Sequence, residues 1–271
     1  MPEGDTIHRT AQVMRRTLRG DILVAARGRA GGVQLERVVG SRTATVRSRG
    51  KQLLVGFDNG LTLHTHLGMN GSWHRYRPGE RWREQPSNAV AVLETASAVA
   101  VCFDAPTVEL LETRALAIHP LLSRLGPDLL DEDPDIDEAV RRMSAPGRAH
   151  VTIAEALLDQ RVAAGIGNVY RNEILARQRV DPFTPLGMLP EPLARQLLVD
   201  ASELLRANVG RDVRVTLRDA PPGERLVYRQ AGRPCRRCGS IIRSTTLGPS
   251  PRRLYWCPAC QRREPLGCPG E

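Results

Sequence analysis

The sequence predicts an α+β protein: one leading helix, a strand-rich first half, a helical second half and a β-like end built around cysteines. Three observations carry this. Apolar residues alternate with period two through KQLLVGF and LTLHTHL, on either side of a DNG turn. Beyond the acidic stretch DLLDEDPDIDE the period changes to near 3.6 residues. Four cysteines then stand as two pairs, Cys235-x2-Cys238 and Cys257-x2-Cys260.

At 271 residues the chain is long enough for two domains with a small appendage, and 41% apolar residues suit a globular protein. No run reaches the ~18 uninterrupted apolar residues of a membrane span. The best candidate, AVAVLETASAVAVCF, is broken by Glu94, Thr95 and Ser97 and reads as two strands. The start, MPEGDTIHRTAQVMRR, lacks the apolar core of a signal peptide. A cytoplasmic protein, neither secreted nor membrane-bound, is expected.

The elements follow in order. DTIHRTAQVMRRTLRG reads as a helix, with Ile7, Ala11, Met14 and Leu18 on one face, Asp5 or Thr6 as its cap and Gly20 as its stop. Strands continue to about residue 115, including SNAVAVLET and AVAVCFD, and make a β-sandwich or barrel. The acidic stretch holds seven acids and no base over residues 128–138 and reads as a solvated connection between domains. PDIDEAVRRM, HVTIAEALLDQRV, NVYRNEILARQRV and EPLARQLLVDASELLRANV read as helices, the last two separated by Pro182, Pro185, Pro190 and Pro192. The expected domains are 1–120, 121–224 and 225–264, with a tail over 265–271.

Charge distribution narrows the function. The net charge is +9, and residues 225–263 hold ten arginines and no acid, beside the cysteines. This is the electrostatic footprint of a nucleic-acid binder. Two CxxC knuckles at this separation put four thiolates at the corners of a tetrahedron, the arrangement of a structural Zn²⁺; disulfides are disfavoured in an intracellular chain. A closed four-sulfur site has no open position, so the expected zinc is structural. The intervening SIIRSTTLGPSPRRLYW reads as a hairpin with Arg252 and Arg253 at its tip. Cys102 reads as core, and Cys268 lies in a Pro/Gly tail.

Lys51 is the only lysine. An amine can lose its proton when desolvated whereas a guanidinium cannot, so a proton-transfer role suits it. In LLDQRVAAGIGNVYRNEIL, Gly165 and Gly167 make a tight turn that opens a helix at Asn168. The turn serves either close packing or a phosphate at the helix start. Met69, in HLGMNG, reads either as core or as a wedge filling the space of an extruded base.

MPEG at the start, GKQLL, HLGMNGSW, GIGNVYRNEIL and the cysteine-rich end occur together and in this order. Together they resemble the formamidopyrimidine-DNA glycosylase and endonuclease VIII family of base-excision repair enzymes. The resemblance runs from Pro2 to about Arg263. It implies an N-terminal helix and β-sandwich, a helix–two-turn–helix region and a zinc ribbon, with damaged DNA held between the halves of a monomer. It also gives the opening proline a purpose. With Met1 removed, Pro2 becomes a secondary amine that attacks C1′ of a damaged nucleoside, and the iminium so formed acidifies the C2′ proton.

By resemblance, Glu3 is the acid/base beside that proline, Lys51 a phosphate contact and proton donor, and Arg252 a phosphate grip assisting δ-elimination. Asn168 becomes a phosphate ligand and Arg124 a DNA contact. The opening MPEG, and FDAPTVELLETR where the formamidopyrimidine branch carries Asp-Pro-Arg-Arg-Phe-Gly, favour endonuclease VIII. Thr6, where both branches carry glutamate, and HLGMNG, closer to the formamidopyrimidine loop, depart from it. The expected function is a bifunctional glycosylase and abasic-site lyase for oxidised pyrimidines. Its alternatives are an oxidised-purine glycosylase, a lyase alone, or a non-catalytic zinc-ribbon protein that binds damaged DNA.

Overall fold

The computed structural model describes residues 2–29, 31–217, 221–248 and 251–262. The chain divides into two compact units, Met1–Arg124 and Leu125–Glu271, and the cysteine-bearing end belongs to the second.

The first unit begins with helix α1, Gly4–Leu18. Its 3.6-residue pattern buries Ile7, Ala11, Met14 and Leu18. The helix starts earlier than the sequence suggested. Glu3 occupies the cap position, and its carbonyl accepts from Ile7 N at 3.0 Å. Eight strands follow: β1 (Leu23–Gly28), β2 (Thr43–Arg49), β3 (Gln52–Phe57), β4 (Leu61–His66), β5 (Ser72–Tyr76), β6 (Ala89–Thr95), β7 (Val99–Phe103) and β8 (Thr107–Glu112). They form two four-stranded antiparallel sheets, ordered β1-β6-β7-β5 and β2-β3-β4-β8.

One core unites α1 with both sheets, through Leu53, Val55 and Leu63 from one and Ala91, Leu93, Ala100 and Cys102 from the other. Every residue of β7 is buried because its other face is covered too. There Val99, Val101 and Phe103 meet Tyr76 and Trp82. The outer side of β3 and β4 is likewise not bare. The segment Thr113–Arg124 returns to it, with Thr113 Oγ1 2.8 Å from Thr62 Oγ1 and His119 bound to Glu109.

The second unit contains α2 (Ile136–Met143), α3 (Ile153–Ala156), α4 (Asn168–Arg177) and α5 (Glu191–Asn208), then the hairpin β9 (Arg243–Leu247) and β10 (Arg252–Trp256). Helix α3 is a single turn, shorter than HVTIAEALLDQRV suggested, but it carries a full Thr152–Glu155 capping box. The acidic stretch does not connect domains. It lies inside this unit, where Leu129 is buried and its carbonyl accepts from Ser202 Oγ at 2.7 Å. Leu129, with Leu130 and Ile136 beside it, brings the backbone to the core while most carboxylates stay in water. The hairpin joins the same unit: Leu254 reaches the helical core, and Cys235, Ile242 and Cys257 pack with Ala176 of α4.

Candidate active site and candidate metal centre

In the first unit, the α1 start and the β2–β3 turn carry the expected reacting groups. Pro2 is half-buried and Glu3 is 0% exposed. A carboxylate so fully withdrawn from water is costly unless it has a task or partners. Two contacts seat α1 on β2, fixing Pro2 and Glu3 relative to the sandwich. Arg15 Nε donates to Val46 O at 3.0 Å, and Ser48 Oγ lies 3.3 Å from His8 Nδ1. Met1 lies outside the described residues, so the expected loss of that residue does too.

Lys51 follows Gly50, whose φ of +56° lets the chain turn tightly into β3. It is half-buried. His66, at the far end of β4, faces Gln52 in the β3–β4 register. Burial first, then the Lys51 charge, then His64, hold the His66 imidazole below its ordinary value. The His66 imidazole and the Lys51 amine therefore lie within each other's field. Met69, just beyond, is 57% exposed, which removes the core reading. Arg124 is exposed at the end of the unit.

In the second unit, Gly165 (φ +113°) and Gly167 lead into α4, and the side chains of its first turn grip β10. Asn168 Nδ2 and Arg171 Nη2 each donate to Arg253 O at 3.0 Å, and Tyr255 N donates to Asn172 Oδ1 at 2.6 Å. Arg171, though charged, is 0% exposed. Arg252 and Arg253 are not on the hairpin tip as expected. They are the first residues of β10, paired with Leu247 and Thr246, and both are exposed. The side chains of α4 thus fix the strand from which these guanidinium groups project.

The four cysteines converge. Their sulfurs lie within 4.8 Å of one another, with Cys238–Cys257 at 3.4 Å and Cys235–Cys260 at 3.9 Å. The knuckle turns are tied by Gly239 N to Cys235 O at 2.8 Å and by Gln261 N to Cys257 O at 3.0 Å. Hydrogen bonds from Ser240, then from Cys260 and Cys257, pull the Cys238 thiol down to about 6, while burial pushes Cys260 up to about 12. Four sulfurs sharing so small a space, one already a thiolate at neutral pH, fit a tetrahedral soft-metal site.

Reading the sequence alone missed three polar groupings. Glu173, 0% exposed, accepts from the amides of Leu226, Val227 and Tyr228 at 2.9–3.0 Å and from Thr216 Oγ1 at 2.8 Å. Arg171 and Asn172, one turn beyond Asn168 in α4, were unassigned. The third is Gln52–His64–Glu109–His119 on the outer side of β3, β4 and β8. Its only sequence signal was the HTH alternation that puts His64 and His66 on one strand face.

Comparison with known proteins places the chain. Residues 1–108 match the model of the formamidopyrimidine-DNA glycosylase N-terminal domain, and residues 125–218 match that of the formamidopyrimidine-DNA glycosylase H2TH domain. The chain belongs to the formamidopyrimidine-DNA glycosylase family. Within it, the chain is 40% identical to a probable endonuclease 8 2 of Streptomyces coelicolor, with 96% of this chain and 94% of that protein covered. It is 38% identical to the DNA-(apurinic or apyrimidinic site) lyase Nei2 of Mycolicibacterium smegmatis, over 96% and 99% of the two chains. The Lactococcus lactis Fpg, solved with DNA containing an abasic site, shares the fold at a TM-score of 0.80 with 23% identity, covering 97% of this chain and 100% of that one. The endonuclease VIII affinity read from MPEG agrees with these relatives.

Proposed function

We propose that this family member is a bifunctional DNA glycosylase and abasic-site lyase of base excision repair that removes oxidised pyrimidines through Pro2. The observation that carries the reading is the Pro2–Glu3 pair at the start of α1. A terminal amine there adjoins a carboxylate with no exposure to water, and the positive end of the helix dipole opposes protonation of that amine.

The chemistry follows from the groups. With Met1 removed, the Pro2 nitrogen attacks C1′ of a nucleoside whose base has left the stack. The C1′–base bond breaks and the base departs with a proton; the C1′–O4′ bond then opens, O4′ takes a proton, and the nitrogen becomes an iminium. Glu3 shuttles protons at the sugar. Loss of the C2′ proton pushes electrons into the iminium and expels the 3′ phosphate; a second elimination expels the 5′ phosphate. Lys51 serves as phosphate contact and proton donor, and Arg252 and Asn168 hold backbone phosphates. Met69 enters the stack, and Arg124 contacts DNA. Cys235, Cys238, Cys257 and Cys260 hold a structural Zn²⁺, which keeps the Arg252 hairpin folded. Arginine–phosphate contacts make binding fall steeply with salt.

Borohydride trapping tests this, on oligonucleotides carrying thymine glycol, 5-hydroxyuracil, 8-oxoguanine or an abasic site. Adducts on the oxidised pyrimidines are expected, and their loss in Pro2→Ala. Trapping on the abasic site alone would leave a lyase, in keeping with the name of the M. smegmatis relative. DNA binding with no adduct would point to a non-catalytic protein.

A further inference from the structure

We infer that Gln52, His64, Glu109 and His119 form a polar latch that positions the Lys51 turn, and that protons rather than a metal ion hold it together. The inference rests on the reading of Lys51 as part of the reacting site.

The four side chains are contiguous. Glu109 Oε2 lies 2.8 Å from His64 Nδ1 and 3.2 Å from His119 Nε2, and His64 Nε2 lies 2.9 Å from Gln52 Oε1. Gln52 follows Lys51 directly and is 3% exposed. The chain of contacts therefore runs from the strand start beside Lys51, across β4 and β8, to the segment Thr113–Arg124. The two imidazoles meet edge to face, with centroids 5.6 Å apart.

Two histidines and a carboxylate whose donor atoms lie within 4.8 Å are also a possible cation site. Proton accounting decides between the two. His119 Nδ1 receives the amide hydrogens of Leu121 at 3.3 Å and Leu122 at 3.2 Å, so it must be an acceptor. The ring proton is then on Nε2, directed at Glu109. A metal at Nε2 would force that proton onto Nδ1, against two N–H groups. The hydrogen bond wins.

His64 obeys the same logic. Burial, the largest influence, holds its imidazole below the ordinary value despite Glu109, so it carries one ring proton at neutral pH. That proton belongs on Nδ1, where the carboxylate is. Nε2 is left as an acceptor, so the Gln52 amide must be turned end for end, its NH₂ taking the place of Oε1 against Nε2, an exchange open to it because the two ends of an amide are alike in outline. Every proton then has one place, and Gln52, buried at the mouth of the Lys51 turn, has one orientation.

The test separates the two sides of the His119 ring. His119→Asn keeps an acceptor for the Leu121 and Leu122 amides but loses the donor to Glu109; His119→Gln keeps a donor of the right reach. Single-turnover elimination on an abasic-site duplex is expected to fall about 10-fold in His119→Asn and to recover to within about 3-fold of the original in His119→Gln, the scale of a small misplacement of a reacting group. Affinity for a tetrahydrofuran-containing duplex should stay within about two-fold in both, because no phosphate contact is removed.

Hydrogen exchange at the amides of residues 50–52 should quicken in His119→Asn and slow again in His119→Gln. This readout does not require activity, so it tests the latch even if Pro2→Ala shows the catalytic reading to be wrong. Equal behaviour of the two variants, in rate or in exchange, overturns the latch. So does a second zinc per chain in the original protein that His119→Asn removes.

Discussion

Glu173 and Glu109 each gather several donors, one in each unit, but they do so with different chemistry. Glu173 is fully buried and is held by three backbone amides and a hydroxyl. Glu109 has 41% of its side chain exposed and is held by two imidazoles. Amides and hydroxyls keep their protons through the neutral range, whereas imidazoles change charge there. The donors of the α4-to-loop connection therefore carry the same charge in mild acid, and those of the sandwich do not.

The largest test of this contrast is deletion of each carboxylate. Glu173→Ala leaves three amides without their acceptor inside the second unit and the Thr216 hydroxyl with Glu224 O alone, at a cost of about 4 kcal/mol. Glu109→Ala removes a water-screened group, and about 1 kcal/mol is expected. Urea unfolding of each variant measures both. Similar costs would show that the two networks do not differ in the way their burial implies.

Acidification comes next in size. His64, His66 and His74 all stand below the ordinary imidazole value, with burial the first cause in each, and all lie in the first unit. The unfolded chain takes up these protons first. The stability from their burial is thus fully present above about pH 6.5 and is lost as pH falls from there toward the folded values. Burial alone would raise the Glu109 carboxyl, but its bonds to His64 and His119 outweigh that and leave it lowered, so its contribution is lost lower still, below about pH 4.5. Peptide-resolved hydrogen exchange between pH 7 and 5, corrected for intrinsic rates, should show protection declining in β3–β4 and holding in residues 224–228. Parallel decline in both would erase the distinction.

The same contrast explains what the sequence made legible. The β3–β4 hairpin, α1, α4 and α5 announce themselves because each signal lies within one short window of periodic residues. The cysteine knuckles do so because their spacing is itself the geometry. The Glu109 and Glu173 networks were not legible, because their partners are set by register and packing across long separations: 45 residues from His64 to Glu109, and 53 from Glu173 to Leu226. The acidic stretch misled for a related reason. Its charges dominate the composition, but Leu129, Leu130 and Ile136, the few apolar positions among them, decide where the backbone goes. Arg252 stands out by resemblance, through its place five residues before Cys257, whereas the support of its strand by Asn168 and Arg171 through the next residue's carbonyl needed the fold.

The smallest test sharpens the comparison from inside the Glu173 network. Thr216→Val preserves shape and removes one donor, the hydroxyl 2.8 Å from Glu173 Oε2. The carboxylate keeps three amide partners, so no charge is left unsatisfied. A loss of about 1–2 kcal/mol is expected, the worth of one hydrogen bond to a charged acceptor. It should be the same at pH 7 and pH 5.5, because neither the lost donor nor those that remain titrate between them. A loss that grows on acidification would mean that a titrating group reaches Glu173 once the hydroxyl is gone, and the division between a carboxylate held by imidazoles and one held by amides and a hydroxyl would fail at the place where it is best defined.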